Sequence, residues 1–174
     1  MEAIPLWLGY EWLNAGIEKL FGEGNAVWVS PKAGTAVAGF LKGAIAKSAL
    51  ADGFDPIKNP HPAVNMWYAT LARDVFLPNA ALFSYLVALG EFAIGLALTI
   101  GLVARFSAVM SVLLSLSLLM AGATSTLPQM LAIGVALATA GGAAIGYYGV
   151  DYFARPITLQ VLRRVHLLPE PVTA

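Results

Sequence analysis

Between Arg105 and Asp151 the sequence carries no charged residue at all. No other feature limits the fold so tightly. The stretch exceeds two helical crossings of a bilayer, each of which takes about 20 residues. It has one natural break, Thr124-Ser125-Thr126-Leu127-Pro128. Pro128 suits the first turn of a new helix, where its missing N–H leaves no bond unmade. The pattern predicts two crossings, 106–123 and 128–148. Both must be helical, because lipid offers the backbone no hydrogen-bond partners.

Composition supports this reading. Hydrophobic residues make up 59% of the 174 and charged residues 11%, against about a quarter charged in an ordinary soluble domain. A third crossing is expected at 79–103, entered after Pro78, with Glu91 near its middle as its only charge. A fourth, 4–21, is weaker. Glu11, Asn14 and Glu18 recur on it at helical spacing and give it one polar face. Such a helix can lie flat on the membrane or cross with its polar face turned into a bundle; the crossing is expected, because the bundle would then hide that face. The expected fold is therefore all-α, an integral membrane four-helix bundle. The outer loop, 22–78, is expected to lie over it as an extracytoplasmic cap containing short interfacial helices.

Within that loop, Ser30-Pro31 resembles a helix start, with Val37, Phe40, Leu41, Ala44 and Ile45 as one apolar face. A second short helix is expected over 63–75. Trp28, Trp67 and Tyr68 suit a membrane–water boundary. Rows of small residues, Ser107/Ser111/Ser115, Gly134/Ala138/Gly142/Gly146 and Ala136/Ala140/Ala144, suit close helix packing in lipid. Arg105, Arg155, Arg163 and Arg164 fall on one side of a four-crossing bundle, which predicts a multi-pass protein of the cell membrane with both termini cytoplasmic. Asp151 and Arg155 are placed for an i, i+4 pair, and 157–174 reads as a basic amphipathic tail on the cytoplasmic leaflet. The N-terminus lacks the pattern of a cleaved signal peptide, so the first helix is expected to persist.

Several chemistries are excluded. There is no cysteine, hence no disulfide or thiolate site. No metal-ligand spacing, nucleophile motif or phosphate loop appears, and no basic run suggests nucleic acid. His61 and His166 fall on opposite sides and read as surface residues. The expectation is no metal or covalently held cofactor. Any redox chemistry would need a diffusible cofactor or a partner protein.

The candidate chemical residue is Glu91. A charged carboxylate at the bilayer centre costs about 3 kcal/mol on insertion scales, and the sequence places no Lys or Arg at its depth. The expected state is a protonated or hydrogen-bonded Glu91, with Glu11 at similar depth sharing protons with it. Either a proton-handling role or a purely structural one fits.

Five segments carry a family resemblance. They are Leu8-Gly9-Tyr10-Glu11-Trp12-Leu13-Asn14-Ala15-Gly16-Ile17-Glu18-Lys19; Asn59-Pro60-His61-Pro62 with Trp67-Tyr68; Leu82-Phe83-Ser84-Tyr85-Leu86-Val87 running into Gly90-Glu91, Gly95-Leu96-Ala97-Leu98 and Gly101-Leu102; Met120-Ala121-Gly122 with Ser125-Thr126; and Gly149-Val150-Asp151. In this order, and over nearly the whole of 8–156, the chain resembles the DoxX/DoxD family of membrane proteins. Leu127-Pro128 stands where that family often has Asn-Pro. The resemblance implies a four-helix membrane subunit. One member, DoxD, is the large subunit of a thiosulfate:quinone oxidoreductase that works with a small partner. Two functions then stay open. In the first, the chain is a quinone-linked oxidoreductase component: Glu91 and Glu11 handle protons, Tyr85 and Asn14 contact a ligand, Lys19 or Arg73 meets an anion, and a diffusible quinone is the cofactor. In the second, it is a non-catalytic accessory subunit of a larger respiratory or photosynthetic membrane complex. Both call for partner subunits and a lipid bilayer.

Overall fold

The computed structural model describes residues 3–139. The second half of the fourth expected crossing, the Asp151–Arg155 pair, His166 and the basic tail lie outside the described residues. Within them the chain is all-helical. Six helices follow one another: α1 Ala3–Phe21, α2 Thr35–Ala46, α3 Met66–Leu71, α4 Ala80–Ile100, α5 Ala104–Met120 and α6 Leu127–Thr139. No strand forms among the described residues; Ser48 and Val64 make one isolated parallel bridge.

The long helices fall close to the expected crossings, and local chemistry explains their ends. Asn79 stands at the first position before α4, just after Pro78, with its side-chain amide donating to the Val75 carbonyl at 2.8 Å rather than capping α4. Gly101 ends it in the left-handed region at φ 67°, with the Leu102 N–H donating to the Ala97 carbonyl at 2.8 Å. Glycine takes this conformation without a Cβ penalty. Helix α4 thus stops three residues before the expected 103, and α5 starts two before the expected 106. One helix, α4, is both long and apolar enough to cross a membrane; α2, α5 and α6 are apolar but shorter among the described residues.

Two corrections concern the loop. Helix α2 starts at Thr35 rather than at Ser30-Pro31. Its cap is Gly34 at φ 91°, pressed against the start of α4, where a Cβ would come within 2.6 Å of the Ala81 nitrogen. This tertiary contact overrides the local start signal. The second loop helix is also shorter than expected. It runs as α3 and then loosens into a π-helical turn, Ala72–Phe76.

These helices enclose two cores. The first joins α1, α4, α5 and α6 through Leu8, Trp12, Ile94, Leu98, Ala104, Ala108, Met130 and Leu137. The second joins α2, α3, the start of α4 and the end of α5 through Val37, Leu41, Ala44, Val64, Tyr68, Ala69, Ala72, Ala80 and Ala121. The 22–78 segment therefore caps one end of a helical bundle, with a core of its own, and α4 and α5 run through both layers.

Register along α4 fixes what lies at each level. A Cβ on Gly9 would meet Thr99, one on Gly95 the Leu13 backbone, and one on Gly16 the Phe92 backbone. Helix α1 therefore lies antiparallel to the C-terminal part of α4 and ends beside its middle. The chain then continues along the first half of α4 as a strap. Ser84 Oγ donates to the Trp28 carbonyl at 2.6 Å and Tyr85 Oη to the Val29 carbonyl at 2.7 Å.

Candidate functional site

The end of α1 brings Lys19 to Glu91. Their side chains pair at 2.6 Å, with Glu91 4% and Lys19 19% exposed. The ammonium also lies 4.9 Å from the centre of the Trp28 ring, in cation–π range, and donates to the Ala15 carbonyl at 3.4 Å. This overturns the expectation of an acid without a basic partner at its depth. The error came from treating α1 and α4 as level. They are staggered, because the first turns of α4 belong to the cap, so the last turn of α1 meets the middle of α4.

The same stagger separates the two acids. Glu11 lies eight residues before Lys19 on α1, about 12 Å along the axis at 1.5 Å per residue, and makes no hydrogen bond or ion pair among the described residues. Glu11 and Glu91 do not form one proton-sharing site. The expectation that the polar face of α1 turns inward also fails. Leu8, Gly9, Trp12 and Gly16 are buried, Glu11 is half-buried, and Asn14 and Glu18 are exposed. The close approach of α4 demands glycine at positions 9 and 16, so that face was taken.

Of the other expected site residues, Asn14 stands exposed on α1, and Tyr85 and Arg73 are spent on structure. Tyr85 holds the strap. Arg73 forms a two-armed pair with the neighbouring Asp74 at 2.7 and 3.0 Å. That hydrogen bond raises the guanidinium and lowers the carboxyl from their ordinary values, on a fully exposed surface where such pairs contribute little. His61 is exposed, as expected. Among the described residues no group of His, Asp or Glu side chains is arranged to hold a metal ion.

The sequence pattern did not reveal one bond at the centre of the bundle. Trp12 Nε1 donates to Ser111 Oγ at 2.7 Å, both groups buried. Ser107, Ser111 and Ser115 all face inward, and Gly134 packs over Val112, Ser111 and Ala108. The serine row is thus the packing face that its spacing predicted; of the Gly134 row, Gly134 is buried and Ala138 half-buried, and Gly142 and Gly146 lie outside the described residues. Ala136 is exposed, so its row does not face the bundle at that position. Of the three boundary aromatics, Trp67 is exposed, Trp28 lies under Lys19, and Tyr68 is buried in the cap core, donating to the Ser117 carbonyl at 2.9 Å. Burial pushes the Tyr68 phenol above its ordinary value.

No protein-family model matches the chain, and neither a curated protein nor a solved structure does. The DoxX/DoxD resemblance rests on the residue motifs alone.

Proposed function

We propose that this chain is a membrane-embedded subunit of DoxX/DoxD type that serves a larger membrane complex as an accessory, non-catalytic component. One observation carries the membrane part of the reading: α4 and α5 turn mostly small and polar residues inward and rows of large apolar residues outward. Helix α5 buries Ala104, Ser107, Ala108, Ser111 and Ser115 and exposes Phe106, Val109, Leu113 and Leu116. Helix α4 buries Ala80, Ser84, Ala88, Glu91 and Gly95 together with Ile94 and Leu98 near its C-terminal end, and exposes Leu82, Leu86, Leu89, Leu96 and Ile100. A helix of a water-soluble protein turns its large apolar residues inward and its polar ones to water. Apolar stripes on this scale need lipid or protein against them, and small inward residues let helices approach where no hydrophobic force joins them.

The accessory role is favoured because Glu91, Tyr85 and Arg73 are each engaged by a neighbour. A quinone-linked role keeps one supporting feature, the charged Lys19–Glu91 pair beside an aromatic ring at the cap end of the bundle. Purification from native membranes in mild detergent separates the two. The accessory reading expects the chain inside a large assembly and inert when released. A chain that emerges alone and reduces a quinone analogue sinks it. Release of the chain from membranes by an alkaline carbonate wash would sink the membrane reading itself.

A further inference from the structure

We infer that the outer face of α1 is a docking site for a transmembrane helix of a different subunit, one that presents hydrogen-bond donors or a basic side chain. The inference rests on the membrane reading above. Tyr10, Asn14 and Glu18 stand four residues apart on α1 and are all exposed, with half-buried Glu11 beside them. They form one polar stripe about 12 Å long, at 1.5 Å per residue.

The depth of this stripe is not adjustable. Helix α1 is held along α4 by backbone-close contacts at Gly9, Gly16 and Gly95, and α4 is the helix long and apolar enough to cross. Where α4 crosses, α1 goes with it. The outer faces of α4 and α5 are mainly Leu, Val, Phe and Ile, with Tyr85, Thr99, Arg105 and Ser117 the polar residues exposed along them. Carboxylates and an amide facing hydrocarbon are expensive and are as a rule turned toward protein.

Charge complementarity identifies the occupant. The stripe carries two carboxylates, and the nearest cation on its helix, Lys19, is held by Glu91 on the other side. A second copy docking through the same face would set carboxylate against carboxylate, which is unfavourable. A helix with Lys, Arg or hydroxyl groups at matching spacing satisfies the stripe, and in lipid such bonds hold helices together.

The test is a photo-crosslinking residue at position 14, in the full chain in its native membranes, with and without the double change Glu11→Leu/Glu18→Leu. The expected result is a crosslink to a different polypeptide. The joined peptide should be an apolar helix carrying Lys or Arg. The yield should fall at least about tenfold in the double variant, since the leucines leave the donors of the docked helix without acceptors. Circular dichroism of the purified double variant checks that its helix content is kept. Crosslinks to a second copy, to residues 140–174 of the same chain or to lipid alone each overturn the inference. So does a yield indifferent to the leucines. Membrane retention in the carbonate wash is scored separately, so a failed crosslink in a retained protein counts against the docking site and not against the membrane reading.

Discussion

The bundle and the cap bring helices together by different means. The bundle buries Leu8, Trp12, Ile94, Leu98, Met130 and Leu137 and adds close approach of backbones. Gly9, Gly16 and Gly95 let the backbones of α1 and α4 touch, serines line α5, and a buried ion pair and an indole–hydroxyl bond fix the register. The cap relies on its packed side chains. Val37, Leu41, Val64, Tyr68 and several alanines fill it, and edge-on and tilted ring contacts link Trp67, Tyr68, Phe76 and Phe83. Its glycines Gly39 and Gly43 have nothing within 4 Å of where a Cβ would stand. The close backbone approach and the polar bonds of the bundle suit the membrane proposed for it. In lipid, contact area and internal hydrogen bonds must hold the helices.

The largest test of this contrast is the ion pair. Lys19→Met leaves Glu91 buried, and removing one partner of such a pair costs about 3–5 kcal/mol. Glu91→Gln should cost less, because Lys19 is still partly exposed and keeps the Trp28 face. Joint replacement by Met and Leu should recover much of the loss, since apolar groups of similar volume often replace a buried pair at little cost. Thermal unfolding in mild detergent would show the order. If Glu91→Gln were the more damaging change, the pair would not be holding α1 in the way described. Next is Gly95→Ala. The new methyl would strike the Leu13 backbone, which cannot swing aside as a side chain can. Overpacking typically costs about 1–3 kcal/mol, and the upper end is expected here. An unchanged melting temperature would mean that α1 and α4 are not so closely packed.

The legibility of the molecule divides along the same line. The helices are readable because hydrophobic runs and their Pro and Gly punctuation are local. The cap is readable as a cap because Pro60, Pro62 and Pro78 break the chain at points that leave only short helices. The Lys19–Glu91 pair is not readable. It depends on the stagger between α1 and α4, and that stagger is set by how many turns of α4 the cap takes. The inward face of α1 misleads for a related reason. Glu11, Asn14 and Glu18 invite burial together, but the tight approach of α4 favours glycine, and the Gly9/Gly16 side wins. That signal is in the sequence, two turns apart rather than one.

Smaller effects belong to the cap. Tyr68→Phe removes a bond to the Ser117 carbonyl and should cost about 1 kcal/mol. The phenol also links the cap to alkaline pH. Its folded-state value is raised above the ordinary 10.0 by burial, so the folded state binds the proton more tightly. Its contribution is intact below that ordinary value and fades as pH rises through the raised one. Stability of the cap should therefore decline above about pH 10, and less so in Tyr68→Phe. Absorbance titration of tyrosinate, followed in parallel with near-ultraviolet circular dichroism, would reveal it; equal alkaline loss in both proteins would assign the decline to other groups.

The smallest effect should have the opposite sign. Gly43 stands inside α2, on its exposed side, with open space where a methyl group would go and an ordinary helical backbone. Glycine in a helix interior costs about 0.5–1 kcal/mol relative to alanine. Gly43→Ala should accordingly raise the unfolding temperature of the isolated chain, while the same change at Gly95 lowers it. One substitution type, made in the two layers, thus separates glycine kept for contact within the chain from glycine with no contact inside it. If Gly43→Ala stabilises the isolated chain yet loosens it from its native assembly, the open face of α2 is covered by a neighbour there. If it destabilises the isolated chain, α2 packs against something within the chain, and the contrast drawn between the two cores fails at this position.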